Sequence, residues 1–369
     1  MKKILVTFVL LFPIAIIGQT ETENYIKTTS YLQEVDEVQE NNVLESQKIE
    51  NITYYDGLGR VIQTIAVRAG GQNQNITTHI EYDDLGRTTK TYLPYATDTE
   101  IPNPLNFTTP SNLKSSINQF YNTSKYENTQ NPYAETVYGN SSLQRVLEEA
   151  APGNSWALNG GHTIKFNFLT NSNDEVRYFD VNFIGGNHEN PEIILNGYYD
   201  AGRFYKNVIK DENWTPASGN NHTVEEFTNK LGQVVLKRTY NDNLAHDTYY
   251  VYDNYGNLTF VLSPQGSDDI VIGDVLVNNS QEVLNDLCYQ YKYDERNRLI
   301  EKKVPGKGWE YIVYNKINKP ILTQDANQRN QSPKEWFFTK YDAFGRIAYT
   351  GIKKSNISRT SFQTIANNN

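Results

Sequence analysis

The chain has 369 residues and a formal charge of −9, with 34 Lys and Arg against 43 Asp and Glu. Phosphate backbones are held by clustered cations, so this balance argues against nucleic acid as a partner. Cys288 is the single cysteine, which excludes an internal disulfide, and the only methionine is the first residue.

At the amino end Lys2 and Lys3 precede an apolar run over 4–17, and polarity resumes at Gly18-Gln19. The pattern reads as a secretory signal over 1–18. The run falls short of the roughly 20 residues that span a bilayer, so no integral span is expected once it is removed. Residues 19–48 are a polar, acidic lead-in. Residues 49–155 read as a first β module with a helical insertion near 109–121, where Thr109-Pro110 starts a helix with Leu113, Ile117, Phe120 and Tyr121 on one face. Residues 156–354 carry β-hairpin repeats, with loops near 211–222 and 265–275 and a short helix over Ser280 to Leu287; Cys288 reads as a small buried hydrophobe continuing that helix beside Leu284 and Leu287. The tail, 355–369, is polar and expected to fray.

One short string recurs through these segments: Tyr, Asp or Asn, two residues, Gly or Asn, then often Arg. The clearest copies are Tyr55-Asp56 to Gly59-Arg60, Tyr82-Asp83 to Gly86-Arg87 and Tyr341-Asp342 to Gly345-Arg346. Looser ones are Asn229 to Gly232, Tyr252-Asp253 to Gly256, Tyr293-Asp294 to Asn297-Arg298, and Tyr314-Asn315 to Asn318. An Asp or Asn oxygen can accept a backbone hydrogen bond from two residues on, which favours a turn. Gly, and Asn better than most, tolerates the positive φ from which a bulge re-enters a strand. Pro94, Pro264 and Pro305 each follow the glycine slot by eight positions and end the second strand, because proline lacks the N–H of a ladder. Each copy therefore reads as a hairpin. Ser141 to Pro152 reads as a decayed copy, and Tyr199-Asp200-Ala201-Gly202-Arg203 as a tighter turn. The third turn position is apolar or bulky (Leu58, Leu85, Leu231, Tyr255, Ile317, Phe344), which implies that something covers the tips. Hairpins are marginal alone and gain stability by stacking, so the expected fold class is all-β: stacked antiparallel β-hairpin repeats, an open shell or solenoid, with one or two short helices.

The residues that could carry chemistry are sparse. The five histidines are isolated, with no metal-ligand spacing, and no cofactor motif occurs. Asp83-Asp84 alternate across a strand, so they do not form a carboxylate pair. Asn171 to Glu175 lacks the spacing of a calcium loop and reads as a polar turn. Gly160-Gly161 and Gly185-Gly186 lack a strand-to-helix phosphate-loop setting. Trp156, Trp214, Trp309 and Trp336 could stack on a sugar or a partner protein, or pack between strands. A glycosidase would need two acidic side chains about 5 to 10 Å apart in a cleft.

The Tyr-Asp copies resemble the RHS/YD-repeat family. Asn131-Pro132-Tyr133-Ala134-Glu135-Thr136-Val137-Tyr138 and the Arg145 to Trp156 segment resemble the N-terminal module that precedes such repeats in bacterial surface proteins. Cys288 to Leu299 is similar to an RHS unit in that setting. The resemblance covers most of residues 50 to 350. It implies a non-enzymatic, exported scaffold whose hairpins wind into a hollow β shell. The partner it implies is a C-terminal effector or a companion shell polypeptide; the alternative, a surface glycan, rests on the tryptophans and tyrosines. The chain lacks the Asp-Pro-x-Gly segment that closes longer relatives, so self-cleavage and toxin activity do not carry over.

Overall fold

The computed structural model describes residues 23–35, 43–97, 107–271 and 281–368. The secretory signal read over 1–18 lies outside the described residues. The chain divides into two compact units, residues 1–165 with 211–213, and residues 166–210 with 214–369.

The first unit is an antiparallel meander. Asn24–Tyr31 pairs with Lys48–Tyr55, which pairs with Val61–Val67, and the order continues through Ile76–Tyr82 and Thr88–Tyr92 to Tyr133–Tyr138 and Val146–Ala150. The turn after Tyr55 sets the register. Tyr55 faces Val61 while Tyr54 faces Gln63, so Ile62 is the extra residue of a bulge. Bulges increase local twist and bend the strand that carries them. The same offset recurs at Tyr82 and Tyr138. Ile52, Tyr54, Ile65 and Val67 form one buried cluster. Helix α1, Pro110–Tyr121, begins on proline, whose missing N–H has no partner to lose there. Leu113 and Ile117, four residues apart and so on one face, bury against Tyr92.

In the second unit Tyr205–Lys210, Thr223–Thr228, Val234–Asn241, Leu244–Tyr252, Leu258–Leu262, Cys288–Tyr293 and Leu299–Lys303 pair in sequence order. Glu310–Tyr314, Pro320–Gln324, Glu335–Tyr341 and Ile347–Lys354 continue the ladder. A separate hairpin, Arg177–Phe183 with Pro191–Tyr198, packs Phe179, Val181, Ile193 and Leu195 against Phe227, Tyr249 and Phe260 of the ladder. The remaining helices are short: α2, Pro264–Asp268; α3, Gln281–Leu287; α4, Ala326–Arg329; α5, Arg359–Asn368. The fold is all-β and built from successive antiparallel hairpins. No described helix is long and apolar enough to cross a membrane.

Four local expectations change. Cys288 starts a strand instead of ending a helix, and burial pushes its thiol up to about 11. Residues Tyr199 to Arg203 do not close a hairpin. The strand before them pairs in the separate sheet and the strand after them in the main ladder, so this segment is a crossover, held where Asn171 Nδ2 donates to Asp200 O at 2.9 Å. The tail is not frayed, because α5 seats Phe362 edge-on against Trp336 and pairs buried Arg359 with Glu301 at 3.0 Å and with Glu189. Most turn tips are not covered: Leu58, Leu231 and Phe344 are 79%, 82% and 85% exposed, whereas Tyr255 packs against His188 at 4.8 Å between ring centres.

Candidate functional site

The recurring turn builds itself from local groups. At Asp83, Oδ1 accepts from the backbone N–H of Leu85 at 3.0 Å and of Arg87 at 2.9 Å, while Oδ2 accepts from Arg87 Nε at 2.7 Å. Asp83 N–H donates to Arg87 O, and Gly86 N–H donates back to Asp83 O. The same pattern of backbone bonds closes the turns at Asp56, Asn229, Asp253, Asp294, Asn315 and Asp342. The glycine slot takes φ between 76° and 82° at Gly59, Gly86, Gly232, Gly256 and Gly345, and Asn297 and Asn318 reach 56° and 60°. Hydrogen bonds to an ionised carboxylate favour its charged form. The backbone N–H four residues on, then the arginine side chain, accordingly hold Asp56, Asp83 and Asp342 below the usual carboxylate value.

Each turn also reaches the next. The guanidinium of Arg60 lies 4.6 Å from the centre of the Tyr82 ring, and Tyr82 Oη donates back to Val61 O at 2.8 Å. Arg298 lies 4.9 Å from the Tyr314 ring, and Tyr314 Oη donates to Leu299 O at 2.8 Å. Lys319 sits 5.0 Å from the Tyr341 ring and donates to Gly345 O at 2.5 Å, while Tyr341 Oη donates to Pro320 O at 2.9 Å. Arg87 pairs in this way with Tyr138 and Gly139 O, Gln233 reaches Gly256 O, and Asn257 reaches Asn297 Oδ1. Tyr252 and Tyr293 return the bond to Val234 O and Leu258 O.

Strand register enforces this contact. Three residues on from the paired positions Gln63↔His79, Lys90↔Glu135, Leu236↔Tyr249, Phe260↔Gln290, Glu301↔Tyr311 and Leu322↔Phe338, the residue after the glycine slot faces the next tyrosine each time. Arg60, Arg87 and Arg298 are thus clips between units, with Gln233, Asn257 and Lys319 in the same place in the other steps, a role that only the pairing of strands reveals. The last copy is open. Arg346 keeps its bond to Asp342 at 2.7 Å, yet it is 75% exposed, against 10% for Arg298.

The described residues offer little else that is reactive. No group of three His, Cys, Asp or Glu could hold a metal ion among them. The most buried carboxylates, Glu50, Glu225 and Asp253, are all engaged: Lys27 lies 2.6 Å from Glu50 and Arg68 2.8 Å, Lys206 lies 2.9 Å from Glu225, and Asp253 holds its own turn. Half-buried Glu175 and Asp247 are paired too, with Lys206 and Arg238, each at 2.6 Å. Burial alone would raise Glu175, but Lys206 and the Ser172 N–H outweigh it and hold it low.

The tryptophans separate. Trp336 is buried under Phe362, so its ring cannot meet a ligand. Trp214 carries Lys210 over its face at 3.7 Å, and Trp309 carries Lys292 at 4.6 Å. Trp156 is 41% exposed, tilts against the His162 ring at 5.3 Å, and lines a pocket of about 430 Å³ with Glu135, Pro152 and Glu212.

This geometry defines a stacked-hairpin β architecture. A family model described as "Domain of unknown function (DUF6443)" matches residues 27–170. No curated protein matches the chain. Among solved structures, the chain is similar to the crystal structure of TcdB2-TccC3, with a TM-score of 0.52 and 14% identity over 84% of this chain and 13% of that one. It is also similar to the Photorhabdus luminescens Tc holotoxin pore, with a TM-score of 0.52 and 15% identity over 85% of this chain and 13% of that one. The chain therefore spans about an eighth of the chains whose fold it shares.

Proposed function

We propose that this protein is an exported, non-enzymatic RHS-type scaffold that forms one wall segment of a larger β shell. The observation that carries the reading is the commitment of the turn residues. Each Asp or Asn of the repeat is consumed by its own turn, and the following Arg, Lys, Gln or Asn, in every described copy before the last, by the neighbouring unit. Likeness in fold to chains in TcdB2-TccC3 structures supports a role within an assembly, with the rest of the shell or an enclosed effector supplied by other polypeptide. Electron microscopy of the tagged chain recovered from its own cells tests this. A hollow particle with the chain in its wall is expected, and a lone monomer in every compartment would contradict it.

Trp156 favours a second reading, in which the same scaffold binds a surface glycan. An indole face beside an imidazole and carboxylates suits a sugar, which offers C–H groups to the ring and hydroxyls to the acids. A glycan array with the native chain and Trp156→Ala tests it. Binding that the substitution abolishes is expected, and no binding by either protein would end this reading.

A further inference from the structure

We propose that the free edge of Ile347–Lys354 is a docking site for a β-hairpin of another polypeptide that carries its own Tyr-Asp (or Tyr-Asn)-x-x-Gly turn. The inference rests on the scaffold reading and names the partner's chemistry. Six times in the described chain, the residue after the glycine slot faces a tyrosine of the next strand, in one register. In five steps that tyrosine's hydroxyl donates to the carbonyl two residues past the slot, at 2.8 to 3.1 Å.

The seventh position is built and unfilled. Asp342 and Gly345 form the turn, Arg346 is oriented by Asp342, and Ile347 O occupies the place of the accepting carbonyl. Among the described residues, Ile347–Lys354 pairs with Glu335–Tyr341 and with no strand on its other side. Its apolar residues stand in solvent, with Ile347, Tyr349 and Ile352 65%, 60% and 51% exposed. An exposed, apolar edge strand is a template for strand addition, in which main-chain hydrogen bonds supply affinity and alternate side chains supply specificity.

The register predicts the complex. The partner's tyrosine lies over Arg346 and donates to Ile347 O, and the residue three before it faces Tyr349. A second copy of the chain cannot supply this from its amino-terminal edge strand, Asn24–Tyr31. There Tyr31 is followed by Leu32, Gln33, Glu34 and Val35, with no Asp or Asn to start the turn.

The test uses the full chain and a cyclised, fluorescent peptide of residues 335–354, which presents a Tyr-Asp-x-x-Gly hairpin held in its paired form. Fluorescence polarisation should show saturable binding. Arg346→Ala in the chain, or Tyr341→Ala in the peptide, should weaken it by about tenfold. Arg346→Lys should largely retain it, since Lys319 does the same task in the preceding step. Arg60→Ala, at an interior step, should lower the melting temperature of the chain and leave peptide binding unchanged. Absence of binding by a folded chain, binding indifferent to Arg346→Ala, or a self-dimer through this strand that excludes the peptide would overturn the proposal. An Arg60→Ala chain that melts like the native one would instead count against the scaffold reading itself.

Discussion

Asp294–Arg298 and Asp342–Arg346 have the same local bonds and opposite surroundings. In both, the aspartate oxygens take the backbone N–H groups of the turn and the arginine Nε, at 2.7 to 3.0 Å. Arg298 is 10% exposed because Tyr314 and Asn318 of the next unit lie against it; Arg346 is 75% exposed because no described residue fills that place. The turn is therefore autonomous, while burial comes from the stack. A repeat array places its stability in the interfaces between neighbours.

The largest break in this comparison should come from backbone strain. Gly86→Val forces a β-branched residue to φ +79°, with its Cβ 2.9 Å from Arg60 Nη1, and should destabilise by about 1–3 kcal/mol in urea unfolding. Gly345→Val meets a similar φ of +76° at the end of the array, where the last hairpin can open without the rest, so its global effect should be smaller. Next in size, Arg298→Ala should cost about 1–2 kcal/mol through lost ring and carboxylate contacts, and Arg346→Ala less than about 0.5 kcal/mol, both by thermal denaturation.

A smaller effect is expected from acid. Asp56, Asp83 and Asp342 have folded values below their ordinary 3.8. The unfolded chain then binds more protons in that window, so the stabilisation is complete above the unfolded value and is lost as pH falls through the folded one. The melting temperature should hold steady from about pH 7 to about pH 5 and fall below about pH 4. Asp83→Asn should reduce that acid sensitivity while keeping the turn, as Asn229 and Asn315 do in their own copies. Smallest of all, Leu231→Lys at an 82% exposed tip should change stability by less than about 0.5 kcal/mol.

The hairpins were legible in the sequence because the turn's determinants, an acceptor side chain and a positive-φ slot, lie within five residues, and in three copies a proline eight positions past the slot marks the exit. The first insertion helix was legible too, since Leu113 and Ile117 share a face and Pro110 marks the start. What depends on distant partners was not. The strand on either side of Tyr199 to Arg203 joins a different sheet, and nothing in that pentapeptide shows it. Of the two roles open to Trp336, stacking on a ligand or packing between strands, the cover that decides for packing is Phe362, 26 positions later. The tail carried a faint signal in Phe362, Ile365 and Ala366 at helical spacing, diluted by polar neighbours. The apolar tips suggested a cover by the usual logic of burial, yet Asp and Gly fix the turn by hydrogen bonding and leave the third position free.

The arginine clip is the central claim, and a double-mutant cycle on Arg60 and Tyr82 tests it most directly, with urea unfolding of Arg60→Ala, Tyr82→Ala and the double variant. A coupling energy of about 0.5–2 kcal/mol is expected for a guanidinium held over a partly buried ring. Additive losses, with no coupling beyond error, would mean that the two side chains stand side by side without joining one hairpin to the next.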